Sequence, residues 1–239
     1  MIPPAAVPAV IVVGTALSYV VARLVGVPLL VPFLNVLPAF PFMIASLRRE
    51  RTGEAIWRML VWAAALALCA TALGYFDTVE SGRLFLRGES YRREMFDFVR
   101  TGSGAEGDIR RFLPQHMAHA GIFCALALGT GGLLAMPLGA MLMNYMGYYV
   151  GALGAASAHP WRALLLAWVP WAVLRIAAFV TLGVVLAGPL LGRLLQFEYQ
   201  WRRQRRWFWA AAAGLLADVI LKWALAPVWR EWIRAAAGW

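Results

Sequence analysis

Ionised side chains are scarce in this sequence. Asp, Glu, Lys and Arg make up 14% of its 239 residues, against about 25% in ordinary soluble domains. With 62% of positions apolar, too little polar material remains to coat a water-soluble fold of this size, and that class is excluded. Lysine is almost missing: Lys222 is the only one, so arginine carries nearly all the positive charge. The formal charge of +10 at pH 7 sits in short runs beside apolar stretches. That placement argues against a nucleic-acid partner and suits the headgroups of a lipid bilayer. The two cysteines, Cys69 and Cys124, lie in apolar stretches and form neither a CxxC pair nor a disulfide framework. They read as buried free thiols. No nucleophile elbow, phosphate-binding glycine loop, paired catalytic carboxylates or HExxH helix occurs, so no enzyme activity and no cofactor is expected. The opening Met1-Ile2-Pro3-Pro4 has no basic region before its apolar run, and no cleaved signal peptide is expected.

What is present is a series of long uncharged runs, the pattern of helices in a bilayer. The expected fold is all-α, a polytopic transmembrane helix bundle of six or seven spans with one external segment that carries a short amphipathic helix. It forms a single membrane domain over 1–239, with spans at about 5–24, 25–47, 59–76, 116–136, 137–157, 161–190 and 207–227. Stretch 25–47 carries Pro28, Pro32, Pro38 and Pro41 around Asn35. Four prolines remove four backbone donors, so this piece either crosses with kinks, giving seven spans, or re-enters, giving six. Residues 116–158 hold no charge if their first histidines are neutral. At about 1.5 Å per residue they cover the roughly 30 Å hydrocarbon core twice, so they fold back, with the turn expected in the glycine-rich stretch 129–139. Stretch 161–190 is long enough to tilt, or to kink at Pro170.

The external segment 77–115 balances seven arginines with seven acids and ends at Pro114. Within it Ser90 is expected to cap a helix whose apolar positions Tyr91, Met95, Phe98 and Val99 lie along the membrane surface. Placing the arginine clusters 48–58 and 193–206 in the cytoplasm puts this segment outside. The N-terminus is then cytoplasmic if there are seven spans, in a bacterial or archaeal cytoplasmic membrane. Trp57, Trp161, Trp201, Trp207, Trp229 and Trp232 fall near the span ends, as interfacial anchors do.

Polar residues inside spans are the candidate functional groups. Arg175 and Asp218 stand mid-span and are expected to pair, with Lys222 one turn along the Asp218 face. The pair reads either as a relay or substrate contact or as a structural ion pair. Asn144 is expected to bond across helices, while Gly147, Gly151 and Gly154 form a small-residue packing face. His116 and His119, spaced i and i+3, share a helix face, and His159 closes the following hairpin. The three offer a metal site with Glu94, Asp97, Glu106 or Asp108, or a haem held by two histidines; helix-end histidines at the interface are the plainer reading.

The run from Ala127-Leu128-Gly129-Thr130-Gly131-Gly132 to Asn144-Tyr145-Met146-Gly147 resembles the glycine-rich helix pair of the stage II sporulation protein M family. Val169-Pro170-Trp171-Ala172-Val173-Leu174-Arg175 then stands where that family tends to carry a Pro-His-Gly…Glu pattern. Here Trp171, Ala172 and Arg175 replace its histidine, glycine and acid. The resemblance covers about 115–190 and implies a non-enzymatic, permease-like subunit that works with other membrane proteins. Three functions are therefore expected in order: a non-catalytic subunit or scaffold of a membrane complex; a transporter or channel using Arg175, Asp218 and Asn144; and a redox protein using His116, His119 and His159.

Overall fold

The structure, a computed structural model, describes residues 3–239, so the Met1-Ile2 start of the first flank lies outside it. The described chain is helical throughout, with no strand among the described residues. Helix α1 (Val7–Val25) is followed by the broken pair α2 (Val31–Val36) and α3 (Phe40–Leu47), then by α4 (Thr52–Phe76). Two helices, α5 (Thr78–Leu84) and α6 (Gly88–Thr101), occupy the polar segment. Then come α7 (Ile109–Thr130), α8 (Ala135–Ala155), the short α9 (Pro160–Ala167), α10 (Pro170–Leu195) and α11 (Trp201–Ala237). Five stretches are long and apolar enough to cross a membrane: Pro4–Val25, Pro28–Leu47, Thr52–Phe76, Pro170–Leu195 and Trp201–Ala237.

Helix α8 is as long as a span but more polar, for a reason visible in the packing. Fourteen of the 21 residues of α8 are buried. A helix surrounded by its own protein has little lipid to face, and can hold Asn144, three tyrosines and several glycines. The turn between α7 and α8 falls at Gly131 and Gly132, both with positive φ, inside the expected glycine-rich stretch.

Several boundaries differ from the sequence reading. Helix α7 begins at Ile109, where Asp108 accepts a hydrogen bond from the Arg110 N–H (2.9 Å), so Pro114 lies within the helix and does not end the polar segment. The expected span 161–190 is split at Trp168–Val169; Pro170 starts α10 in the first turn, where its missing N–H costs nothing, and does not kink a longer helix. The final helix runs on to Ala237, ten residues beyond the expected end at 227. Stretch 25–47 is neither one span helix nor a bare loop. Pro32 and Pro41 sit in the first turns of α2 and α3, Pro28 opens a 3-10 turn, and Pro38 lies in the turn between the two helices.

The amphipathic helix exists but is neither capped by Ser90 nor laid on the membrane. Arg87, in the left-handed conformation, precedes its first residue, and Ser90 is already inside. Its apolar residues Met95, Phe96, Phe98 and Val99 are buried against Tyr149, Val150 and Leu153 of α8 and Ile233 and Ala237 of α11. The long C-terminal end of α11 supplies the cover that the sequence reading assigned to lipid.

Glycines set the closest helix approach. A Cβ at Gly147 would stand 2.6 Å from the Ala70 Cβ, one at Gly74 would stand 2.5 Å from the Tyr148 carbonyl, and one at Gly151 would stand 2.6 Å from the Tyr75 nitrogen. These residues lock α4 against α8, while Gly154 makes room for Leu164 of α9. Polar groups then fix the register. Tyr19 donates to Asn144 Oδ1 (2.6 Å), Asn144 Nδ2 donates to Asn35 Oδ1 (2.8 Å), and Trp62 Nε1 donates to the Asn35 carbonyl (2.7 Å). Asn35 in turn donates to Ser18 (2.8 Å). This chain ties α1, α2, α4 and α8 together in a region where no water can substitute for a lost partner.

Two contacts orient the bundle. Arg203 pairs with Glu50 (3.2 Å), so the basic clusters 48–58 and 193–206 share one end. Arg23 pairs with Asp77 (2.5 Å) at the other end, where the Ala158 and His159 N–H groups donate to the Ala237 and Ala236 carbonyls. Since backbone atoms of α4 block any side chain at position 151, Gly151→Leu should lower stability by about 2–4 kcal/mol. Gly129→Leu, with nothing within 4 Å of its Cβ, should stay within about 0.5 kcal/mol of the parent. Thermal unfolding of both variants in the same mild detergent checks the contrast.

Candidate functional site

Helices α7, α8 and α10 do not close on one another completely. Between them lies a crevice of about 230 Å³. Its floor is apolar, from Phe123 on α7, Met136 and Leu142 on α8, and Phe179 on α10. Its roof is polar, formed by Arg87, Ser90, Tyr91 and Glu94 at the start of α6 and by Glu106 in the α6–α7 turn. Tyr91 packs against Tyr145 with ring centroids 4.5 Å apart and planes tilted by 41°, holding the roof on α8. Glu89 fixes the same helix by accepting from Arg92 (2.9 and 2.6 Å) and from the Tyr148 hydroxyl (3.0 Å). The Arg92 hydrogen bonds hold the Glu89 carboxyl below its ordinary range, so it is ionised and able to accept both donors at neutral pH.

A buried charge cluster lies at one wall. Asp218, the 18th of 37 residues in α11, is fully buried near the middle of a helix about 55 Å long. Arg175 donates to it through two nitrogens, Nε to Oδ2 (2.8 Å) and Nη2 to Oδ1 (2.9 Å). This fork geometry fixes both groups and joins α10 to α11. Buried His116 places Nε2 3.6 Å from Asp218 Oδ2, too far for a hydrogen bond, and that nitrogen has no partner. Lys222 lies one turn beyond Asp218 and pairs with Glu106 (Nζ to Oε2, 2.7 Å). Phe112 stands between the cations, its ring centroid 3.3 Å from Lys222 Nζ and 5.2 Å from the Arg175 guanidinium carbon.

The structure therefore brings Arg175 and Asp218 together and sets Lys222 one turn further along α11, where it takes Glu106 as its partner. Glu106, named in the sequence only as an acid near the histidines, goes to the lysine. Nothing in local spacing could reveal this, because the pair spans 116 positions between a loop and the last helix. Phe112 was also missed; its distance from His116, one helical turn, is the signal that places both on one face of α7.

The other sequence candidates go elsewhere. Asn144 faces α1 and α2, not the crevice, and serves the hydrogen-bond chain that holds the bundle. Gly147, Gly151 and Gly154 are contact points for α4 and α9. His119 lines the crevice with His116, whereas His159 is exposed ahead of α9 and bonds to Ala236. Eighteen residues of α11, about 27 Å of helix, separate Ala236 from Asp218. The three histidines are not a joint ligand set, and no group of three or more metal-ligating residues comes together among the described residues.

Removing one member of a buried pair strands the other charge, a loss of about 3–5 kcal/mol. Asp218→Leu and Arg175→Met should each destabilise by roughly that amount, while the double variant should lose clearly less than their sum. A double-mutant cycle by thermal unfolding in detergent measures the coupling. Comparison with family models, with curated proteins and with solved structures finds no match for the chain.

Proposed function

We propose that this chain is a non-catalytic, permease-like integral membrane protein that takes an amphiphilic small molecule into the crevice between α7, α8 and α10. The supporting observation is the crevice itself, apolar along its floor and charged at its roof. A cavity of about 150 Å³ lined by apolar side chains already accommodates benzene, and this one, at about 230 Å³, is larger. Ligand sites of this kind pair an apolar body with a few polar groups that orient the guest. That fits a tail against Phe123, Leu142 and Phe179 with a head toward Arg175, His116 and Glu106.

In this reading the chain crosses the membrane seven times, α7 and α8 being counted with the five more apolar stretches and α2–α3 as one broken crossing. Arg48, Arg49, Arg51, Arg58, Arg193, Arg202, Arg203, Arg205 and Arg206 outnumber Glu50, Glu54 and Glu198 at one end, which the positive-inside rule assigns to the cytoplasm. The crevice roof then faces the outside of a bacterial or archaeal cytoplasmic membrane. The stage II sporulation protein M resemblance over 115–190 covers the crevice helices and fits a permease-like subunit.

A second reading, a subunit docked to other membrane proteins, is favoured by α11. Only 22% of its most apolar window is covered by the rest of the chain, the lowest share of the five stretches. Trp209, Leu216 and Trp223 repeat every seven residues on its exposed side. The two readings are compatible, since a permease subunit can bind a ligand and a partner at once.

Photolabelling in native membranes tests the first. A ten-carbon alcohol bearing a diazirine should label peptides of α7, α8 and α10 saturably, and Leu142→Trp, which fills the floor, should reduce that labelling at least fivefold. Labelling spread evenly over the lipid-facing sides of α1 and α11 would contradict it.

A further inference from the structure

Lys222 is a deeply buried cation with a single counter-charge. Its side chain is 3% exposed, and Glu106 is the only acid within salt-bridge distance of it among the described residues. The contact is close at 2.7 Å, yet Nζ has no partner in hydrogen-bond geometry. The attraction is Coulombic without the alignment that makes such pairs strong. The Asp218 carboxylate, one turn away, is already occupied by the two nitrogens of Arg175.

The acid comes from an unusual place. Glu106 belongs to the turn between α6 and α7, where Gly102 and Gly104 have φ of +78° and +116°. A Cβ at Gly107 would stand 2.5 Å from the Gly102 carbonyl, so that turn also demands a bare backbone. A glycine-rich turn on the surface thus delivers one carboxylate to a buried lysine. That carboxylate and the Phe112 ring line the crevice and stand between it and Lys222. Around the same spot, His116 Nε2 is buried without a partner, and Arg175 Nη1 takes no side-chain partner among the described residues.

We propose that Glu106 occupies the seat of an anionic headgroup, and that the crevice takes single-chain amphiphiles ending in a carboxylate or phosphate whose oxyanion replaces Glu106 against Lys222, His116 and Arg175. This rests on the crevice reading above and specifies its ligand class. Buried Lys222 cannot be left uncompensated without a large penalty. Lifting of the Glu106 turn is therefore coupled to arrival of another anion. A neutral amphiphile offers no replacement charge and leaves the turn seated. The crevice volume of about 230 Å³ favours one chain over two.

The experiment compares a ten-carbon diazirine carboxylate with the matching alcohol, both photolabelled in membranes of the intact protein. The carboxylate should half-saturate the crevice peptides at a concentration at least tenfold below the alcohol. Glu106→Gln removes the competitor and should widen the carboxylate's advantage over the alcohol a further threefold or more. Lys222→Met should erase the carboxylate's advantage. Should Glu106→Gln fail to fold, Glu106→Asp, whose shorter side chain falls short of Lys222, should shift that advantage in the same direction. Unlabelled decanoate and decyl phosphate should both compete, and whichever competes at the lower concentration identifies the preferred head; acetate and inorganic phosphate should not. Equal half-saturation by acid and alcohol, no gain in Glu106→Gln, or competition by acetate overturns the headgroup assignment and leaves the crevice standing. Absence of saturable labelling by either compound overturns both.

Discussion

A charge held at bilayer depth must find its counter-charge inside the protein, because no water is there to solvate it. Asp218 is fully buried halfway along α11, and Arg175 of α10 answers it with two hydrogen bonds. Lys222, one turn further on, is answered from outside the helix bundle by Glu106. These two pairs join α10 to α11 and draw the turn after α6 onto the bundle. The position of the crevice follows, since α6 and its turn are its roof and α10 is one of its walls.

Helix α8 divides the molecule chemically. On one side Asn144 meets Tyr19 and Asn35 with both of its amide atoms bonded, and the glycines at 147 and 151 press the backbone against α4. That side is a rigid scaffold. On the other, Leu142 and Tyr145 face open space, and His116 across the crevice has a nitrogen without a partner. Fully satisfied polar networks specify packing; an unsatisfied buried group beside a cavity is where a ligand can be bound. Both kinds of polar residue look alike in a hydropathy profile, and only their neighbours separate them.

That distinction marks how far the sequence could be read. The membrane-spanning character, the turn at Gly131–Gly132 and the shared end of the two arginine clusters depend on composition and local backbone preference, and residues reveal those directly. Arg175 and Asp218 could be matched because both are charges of opposite sign deep in apolar runs. The break before Pro170 was not legible, and 161–190 reads as one span that tilts or kinks, since a first-turn proline and an interior proline differ only in where the helix starts. The apolar face of α6 was assigned to lipid because its cover, the end of α11, lies more than 130 residues away. Glu106 with Lys222 was out of reach for the same reason: long-range pairing leaves no periodic trace.

The partnership of Lys222 with Glu106 is the point on which the crevice, its roof and its ligand class all depend. It can be tested by exchanging the two charges, with Glu106→Lys and Lys222→Glu made singly and then together, each followed by thermal unfolding in the same mild detergent. Each single variant should melt at a clearly lower temperature, and the double variant should recover most of that loss. Additive losses in the double variant, or no loss in either single one, would contradict the account.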